Sequence, residues 1–191
     1  MMNNKIKEIF QESLLVIEKS KRISLEIEEC VDLITNCYHN KKKVIIFGNG
    51  GSAADSQHFA AELISRYLLE RKSIPAVAFT TDTSTVTSIG NDYGFEQIFS
   101  RQCESMVSKG DVVIAISTSG KSKNVINGIM TAKKNGALVI GLTGKNDLIF
   151  KKFADIVLSV PSNSTPRIQE VHRIIIHIIC ELVEKELFTK D

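Results

Sequence analysis

The sequence predicts an α/β fold, a doubly wound parallel sheet of five strands with added helices at both ends of the chain. Five short, continuous apolar runs are typical of strands that are buried on both faces. Helical stretches separate these runs, and neither an internal repeat nor a low-complexity tract interrupts them. Because strands that alternate with helices require right-handed crossovers, all five strands are expected to run parallel.

The five predicted strands lie between residues 43 and 160. They are KVIIFG (43–48), AVAFT (76–80), DVVIAIS (111–117), ALVIGLTG (137–144) and DIVLSV (155–160). The helices between them are expected at 53–69, at 83–107 with breaks at Gly90 and Gly94, at 121–135 and at 147–153.

Both ends of the chain are predicted to be helical. Apolar residues recur at helical spacing from Ile6 to Cys37, with a break near Ser20, which indicates two amphipathic helices or one bent helix. A long helix is expected at 166–188. We therefore predict a single domain over residues 1–191, in which residues 1–40 form an extension that packs on the domain or on a partner subunit.

Composition excludes several classes of partner. The chain has 24 basic and 22 acidic residues, a formal net charge of +2, which provides no field for nucleic acid or an anionic membrane. No apolar run reaches the roughly 18 residues that a membrane span requires, and the first residues lack a signal-peptide core. The four cysteines are scattered without a CxxC pair, as expected for reduced thiols. We expect a cytoplasmic protein that binds neither nucleic acid nor membrane.

The first candidate loop is GNGGSAAD, which follows the first predicted strand. In such sheets, ligands bind beyond the carboxyl ends of the strands, where loops lead into helices. The glycines Gly48, Gly50 and Gly51 allow close backbone approach, and Ser52 is a good helix N-cap. An oxyanion or a sugar hydroxyl would fit this helix N-terminus. The alternative is a tight turn with a serine cap and no ligand.

The second candidate loop, ISTSGKSKN, follows the third strand. It places the hydroxyls of Ser117, Thr118, Ser119 and Ser122 at one helix entrance. Since one or two hydroxyls suffice for capping, this excess favours a phosphate monoester over a merely structural role.

Two helices carry further candidates. His58 and Glu62 are spaced i, i+4 after the glycine loop, which suits joint metal ligation, an acid–base pair or a plain intrahelical hydrogen bond. The last helix carries Gln169, His172, Arg173 and His177 among apolar residues, so His177 is expected to be buried with a partner. Because Gln169 and His177 lie about 12 Å apart along the helix axis, we expect neighbouring chains to share them if both serve one site.

Four stretches in register, NGGSAADSQHFAAEL, TTDTSTVTSIGNDYGFEQIFSRQ, ISTSGKSKNV and TPRIQEVHRIIIHIICELVE, resemble the phosphoheptose isomerases of the sugar isomerase (SIS) family. The resemblance covers nearly the whole chain. It implies a flavodoxin-like SIS fold and a cytoplasmic homotetramer. It also implies an enzyme that converts sedoheptulose 7-phosphate into D-glycero-D-manno-heptose 7-phosphate, the first step toward activated heptose for lipopolysaccharide or other surface glycans.

The resemblance also implies residue roles. One zinc ion per subunit is implied, with His58, Glu62, Gln169 and His177 as ligands. Glu62 and His177 would be the catalytic pair that moves protons between C1 and C2 through an enediol. The implied substrate contacts are Asn49, Gly50, Gly51, Glu62, Asn91, Asp92, Ser117, Thr118, Ser119, Ser122 and Gln169.

Two other readings of the family resemblance remain open. Some SIS proteins are non-enzymatic binding tetramers that associate with a replication initiator, although these have no need for titratable groups in the crevice. Others sense sugar phosphates and regulate transcription, usually with a helix-turn-helix domain for which this sequence leaves no residues.

Overall fold

A computed structural model of the chain describes residues 2–189 as eight helices around one sheet. The helices are α1 (Met2–Ser20), α2 (Ser24–His39), α3 (Gly51–Ile64), α4 (Thr83–Asp92), α5 (Ser100–Met106), α6 (Lys123–Lys134), α7 (Leu148–Phe153) and α8 (Thr165–Phe188). The strands are β1 (Val44–Gly48), β2 (Ala76–Ala78), β3 (Val112–Ser117), β4 (Leu138–Thr143) and β5 (Ile156–Ser159).

The five strands form one parallel sheet in the order β2-β1-β3-β4-β5. This is the flavodoxin-like order. Strand β2 is added on one side of β1 and strands β3 to β5 on the other, so a crevice opens at the carboxyl ends of β1 and β3. Val44 of β1 is in register with Ala76 of β2 and with Val112 of β3. The predicted doubly wound, five-stranded sheet is confirmed.

Two apolar cores cover the faces of the sheet, and β1 contributes to both. Val44 and Ile46 belong to the core beneath α2, α3 and α8, whereas Ile45 and Phe47 belong to the core beneath α4, α5 and α6. Because successive strand residues point to opposite faces, a run of apolar residues is what a strand covered on both sides requires.

The N-terminal segment behaves as two helices joined by a short turn. A 3₁₀ turn at Lys21–Ile23 separates α1 from α2, next to the predicted break at Ser20. Helix α2 packs on α8 within the first core. Helix α1 contacts α8 more lightly, and it leaves large apolar side chains exposed, including Phe10 at 68% and Leu14 at 58%.

The structure differs from the predicted boundaries in two places. The helix expected at 53–69 ends at Ile64, because the buried carboxylate of Glu184 accepts hydrogen bonds from the amides of residues 67–69 and holds them in an irregular loop. Gly90 lies inside α4 instead of breaking it. Gly94, at φ 90°, does end the helical segment as predicted.

Between residues 2 and 189, no helix combines the length and the apolar character that crossing a bilayer demands.

Candidate active site

The glycine loop connects β1 to α3 at the crevice. Gly50 precedes α3 with φ 57°, a left-handed conformation that side chains rarely adopt, so the turn requires glycine there. Gly48 lies so close to β3 that a Cβ atom would be 2.8 Å from the carbonyl oxygen of Ile116. The end of β1 is therefore packed closely against β3, whereas Gly50 and Gly51 are exposed to solvent.

Gly51 and Gln169 are in direct contact. A Cβ atom on Gly51 would overlap the side-chain nitrogen of Gln169, so the amide occupies space that only glycine leaves free. This contact places the N-terminus of α8 beside the N-terminus of α3. The sequence predicted a role for both residues in ligand binding but not their contact.

The serine loop between β3 and α6 gathers three hydroxyls. The Ser117 hydroxyl lies 3.2 Å from that of Ser122 and 3.4 Å from that of Ser119. Ser122 occupies the N-cap position of α6, yet its side chain makes no capping hydrogen bond. The half-buried Thr118 adds its backbone carbonyl, which accepts from the amide of Gly144. The Ser119 hydroxyl also accepts a hydrogen bond from the amide of Lys121 at 3.2 Å, a bond within the loop and not within α6. The cluster is therefore not committed to capping this helix.

Gly120 keeps this loop tight. Its φ is 63°, and a Cβ atom there would overlap the carbonyl oxygen of Asn146 and approach the Thr143 hydroxyl to 3.0 Å. The loop is thus pressed against the end of β4, and its hydroxyls have little freedom to move apart.

An amide pair joins the two loops. The side chains of Asn49 and Asn124 donate to each other's carbonyl oxygen, both at 2.9 Å. The sequence predicted Asn49 as a substrate contact but did not predict Asn124. The position of Asn124 in the first turn of α6, directly after the serine loop, is the sequence feature that could have identified it. The pair fixes the distance between the glycine and serine loops.

The third group lies where α3 packs beside α8. His58 Nε2 lies 2.9 Å from His177 Nε2 and 3.7 Å from a carboxylate oxygen of Glu62. The side chains of His58 and Glu62 are 30% and 23% exposed, so solvent reaches the group. The ring of Tyr67 lies beside that of His177, with centroids 5.7 Å apart. His58, Glu62 and His177, which were assigned from the sequence to proton transfer and metal binding, therefore lie together within a single chain.

Two outcomes on α8 differ from expectation. His177 is half-buried instead of enclosed, and its partner is His58. The enclosed histidine of this helix is His172, at 0% exposure, whose Nε2 lies 3.3 Å from the carbonyl oxygen of Thr143. His172 fits the apolar face of α8 better because that face packs on the sheet.

The charges around His58 oppose its protonation. Burial lowers the pKa of His58, and the nearby positive charge of Arg173 lowers it further, which together outweigh the Glu62 carboxylate. Arg173 is held by an ion pair with Asp55 of α3, a carboxylate that is itself only 4% exposed. The neutral imidazole of His58 is therefore favoured, and a neutral imidazole can act as a base or as a metal ligand.

Asn91 and Asp92 lie apart from these groups. They are exposed at the end of α4, where the Asn91 amide donates to the Asp92 carboxylate at 2.7 Å. Within residues 2–189, neither side chain hydrogen-bonds to the glycine loop or the serine loop. A cavity of about 180 Å³ does connect the glycine loop to α4, and its lining includes Gly50 and Val86.

Comparison with known proteins identifies the family to which this chain belongs. The model of the SIS domain matches residues 9–144. The chain belongs to the SIS domain family.

Relatives that this SIS domain matches over most of their length include phosphoheptose isomerases. The phosphoheptose isomerase of Sulfurimonas denitrificans is 51% identical over 187 residues, which cover 98% of this chain and 95% of the relative. That of Citrifermentans bemidjiense is 54% identical over 168 residues, 88% of each chain. The structure of phosphoheptose isomerase from Neisseria gonorrhoeae is 38% identical and superposes with a TM-score of 0.91 over 97% of this chain and 100% of that one. The predicted family, fold and isomerase class are confirmed, and the SIS domain is an enzyme.

The donors at the histidine pair suit zinc, which takes imidazole nitrogen and carboxylate oxygen. Tetrahedral zinc with such bonds separates two nitrogens by about 3.3 Å, so His58 and His177 would move apart by a few tenths of an ångström. Gln169 lies beside Gly51, two turns from His177, and does not join them within one chain. In the described part of the chain, no three histidine, cysteine or acidic side chains are grouped tightly enough to enclose a metal ion. Zinc therefore stays a prediction.

Proposed function

We propose that this SIS domain converts sedoheptulose 7-phosphate into D-glycero-D-manno-heptose 7-phosphate. One observation carries the proposal: His58 Nε2 lies 2.9 Å from the His177 imidazole and 3.7 Å from the Glu62 carboxylate, so groups that can take and give protons share one solvent-accessible site. Two relatives are named phosphoheptose isomerase, which supports a seven-carbon sugar phosphate as the substrate.

The chemistry is a pair of balanced proton transfers. Glu62 takes a proton from C1 of the open-chain ketose while His177 gives a proton to the C2 carbonyl oxygen, which leaves a cis-enediol. The O1 hydroxyl then loses its proton and C2 gains one, and the product has an aldehyde at C1 and a hydroxyl at C2. Each positioned acid or base typically contributes about 10² to 10⁴ in rate.

The serine loop binds the phosphate at the other end of the sugar. Three hydroxyls that are not used for capping and the N-terminus of α6 provide donors and partial positive charge for an oxyanion. Because the phosphate lies far from the reacting carbons, this loop contributes binding and orientation rather than proton transfer.

We also propose one zinc ion per subunit, held by His58, Glu62 and His177 with Gln169 from a neighbouring chain. Zinc bound there would supply Lewis-acid polarisation of the carbonyl. A carboxylate that ligates zinc is a weaker base, so Glu62 serves either as ligand or as base at a given moment.

The proposed assembly is a cytoplasmic homotetramer that supplies heptose for lipopolysaccharide or another surface glycan. The exposed apolar side chains of α1 support an interface between chains, since large exposed apolar patches mark such surfaces. The separation of Gln169 from His177 supports a site that two chains complete together.

The decisive experiment is turnover of sedoheptulose 7-phosphate by the purified protein in deuterium oxide. We expect aldose product with deuterium at C2, because the proton that Glu62 takes from C1 exchanges with solvent while the enediol is present and deuterium is then delivered to C2. Glu62→Gln should lower kcat by about 10² to 10⁴, whereas the exposed Glu70→Gln should not. A folded wild-type protein that binds the sugar phosphate without turnover would instead identify a non-enzymatic SIS protein.

A further inference from the structure

Helices α3 and α8 lie parallel and in register, and they form three contacts in succession. Gly51 meets Gln169, Asp55 pairs with Arg173, and His58 meets His177. The second and third contacts join residues 118 and 119 positions apart, so the offset between the helices is nearly constant. Arg173 therefore lies one helical turn from Gln169 and one turn from His177, between two residues of the proposed substrate site.

The guanidinium of Arg173 is fixed but largely unused. One of its N–H groups donates to the Asp55 carboxylate at 2.5 Å, and its side chain is 38% exposed. An arginine has five such donors. Among the residues that the structure describes, Asp55 is the one hydrogen-bond partner of this guanidinium. The remaining donors are free to meet a ligand.

Arg71 shows what a structural arginine looks like in this fold. Its side chain is 2% exposed, and its three nitrogens donate to Glu184 and to the backbone carbonyls of Glu62, Leu63 and Lys72. Arg173 differs in both respects, since it is half-exposed and holds a single bond to a buried carboxylate. The contrast favours a ligand-facing role for Arg173.

We propose that Arg173 is a further substrate-binding residue, whose free N–H groups donate hydrogen bonds to the sugar oxygens at the reacting carbons. This inference rests on the proposed isomerase function. A planar cationic fork held beside the acid and base suits the negative charge that develops on those oxygens as the enediol forms. Asp55 fixes the orientation of the guanidinium, so the side chain loses little conformational entropy when it binds the sugar.

The rival explanation is that Arg173 only neutralises the buried Asp55. A double substitution separates the two, because Asp55→Asn together with Arg173→Met removes both charges and leaves nothing to neutralise. If Arg173 contacts substrate, the double variant and Arg173→Met both lose about 10² or more in kcat. Asp55→Asn alone should lose less, because the guanidinium is still present.

Turnover of sedoheptulose 7-phosphate is measured for all variants, alongside thermal melting. Arg173→Lys keeps a charge beside Asp55 and provides the same test if Arg173→Met does not fold. A contact through the fork predicts at least a tenfold loss for the lysine variant, and simple neutralisation predicts none. If the kcat of the double variant or of the lysine variant is within about threefold of the wild-type kcat, the substrate-binding role of Arg173 is wrong, and the proposed isomerase function is unaffected. Inactive wild-type protein overturns the proposed function and this inference with it.

Discussion

The Nε2 atoms of His58 and His177 face each other at 2.9 Å, although 119 positions separate the two residues in the chain. At that distance, one of the two nitrogens donates a proton and the other accepts it; if the rings move apart by a few tenths of an ångström, both nitrogens can direct lone pairs at one cation. Two protonated rings would repel, which agrees with the lowered pKa of His58 that burial, Arg173 and His177 produce. The pair is therefore arranged for a shared proton or a shared metal ion.

Zinc binding at this pair gives the first prediction. We expect the purified protein to carry about one zinc per chain, and His58→Ala to lose most of it, because the substitution removes one of the two imidazole ligands and puts no other donor in its place. Metal content measured by elemental analysis and by native mass spectrometry checks this, with the exposed His39→Gln as control. A wild-type protein that stays free of metal after growth and dialysis with zinc contradicts it.

The serine loop gives the second prediction. Ser119→Ala removes a hydroxyl from the cluster around Ser117, so the KM for the sugar phosphate should rise about 10- to 100-fold while kcat changes little. Steady-state kinetics measure both, and Ser73→Ala, at an exposed position between α3 and β2, serves as control. If kcat falls and KM does not, the loop takes part in the chemical step and its assignment to phosphate is wrong.

The contact between Gly51 and Gln169 gives the third prediction. In Gly51→Ala, the new methyl group would occupy the position of the Gln169 amide, which is the flexible end of a side chain and can move away. Activity should therefore fall while the melting temperature changes little. For comparison, Gly90→Ala meets only an ordinary contact at 3.9 Å inside α4, and it should stabilise the protein by about 0.5 to 1 kcal/mol. Gly51→Ala with full activity would show that the position of Gln169 does not matter.

The fold was predictable because apolar periodicity determines it directly. Runs such as VVIAIS leave a parallel strand as the simplest structure, and the structure places β3 there at Val112–Ser117. Helix ends were less predictable, because partners far away in sequence decide them. Glu184 ends α3 by binding the amides that follow it, and no local signal near Ile64 indicates this.

The residues of the candidate site could be named from the sequence, but the contacts between them could be predicted only in part. Spacing on α3 indicated His58 and Glu62, but periodicity cannot say which turn of α8 lies beside them, since that depends on how two helices pack. Asp55, Tyr67 and Asn124 were missed for the same reason. Each is ordinary in its local sequence and gains its role from a neighbour on another element.

The buried ion pair of Glu184 and Arg71 gives the fourth prediction. Burial would raise the pKa of Glu184, but hydrogen bonds from three backbone amides and from Arg71 outweigh it and lower the pKa. Glu184→Gln leaves the Arg71 charge unpaired and turns an NH₂ group toward those amides, so stability should fall by about 3 to 5 kcal/mol. Urea unfolding measures the loss. The exposed Glu181→Gln, which breaks a surface pair with Lys185 on the same helix, should cost less than about 1 kcal/mol.

His172 gives the last prediction, a dependence of stability on pH. Complete burial lowers the pKa of His172 to about 4 from its ordinary value of 6.5, and the hydrogen bond to the Thr143 carbonyl only partly opposes this. The unfolded chain thus takes up a proton at a higher pH than the folded chain does. The stabilisation is complete above about pH 6.5, decreases as the pH falls toward about 4, and amounts to about 3 kcal/mol.

The measurement is the free energy of urea unfolding between about pH 7 and pH 4 for wild type, His172→Gln and the exposed His39→Gln. Glutamine keeps an N–H donor for Thr143 but does not titrate, so His172→Gln should start from lower stability and lose about 3 kcal/mol less over this range. His39→Gln should follow the wild-type curve, because it leaves the buried His172 unchanged. Parallel curves for wild type and His172→Gln would mean that the folded protein protonates His172 as readily as the unfolded chain does, which would contradict its enclosure between α8 and the end of β4.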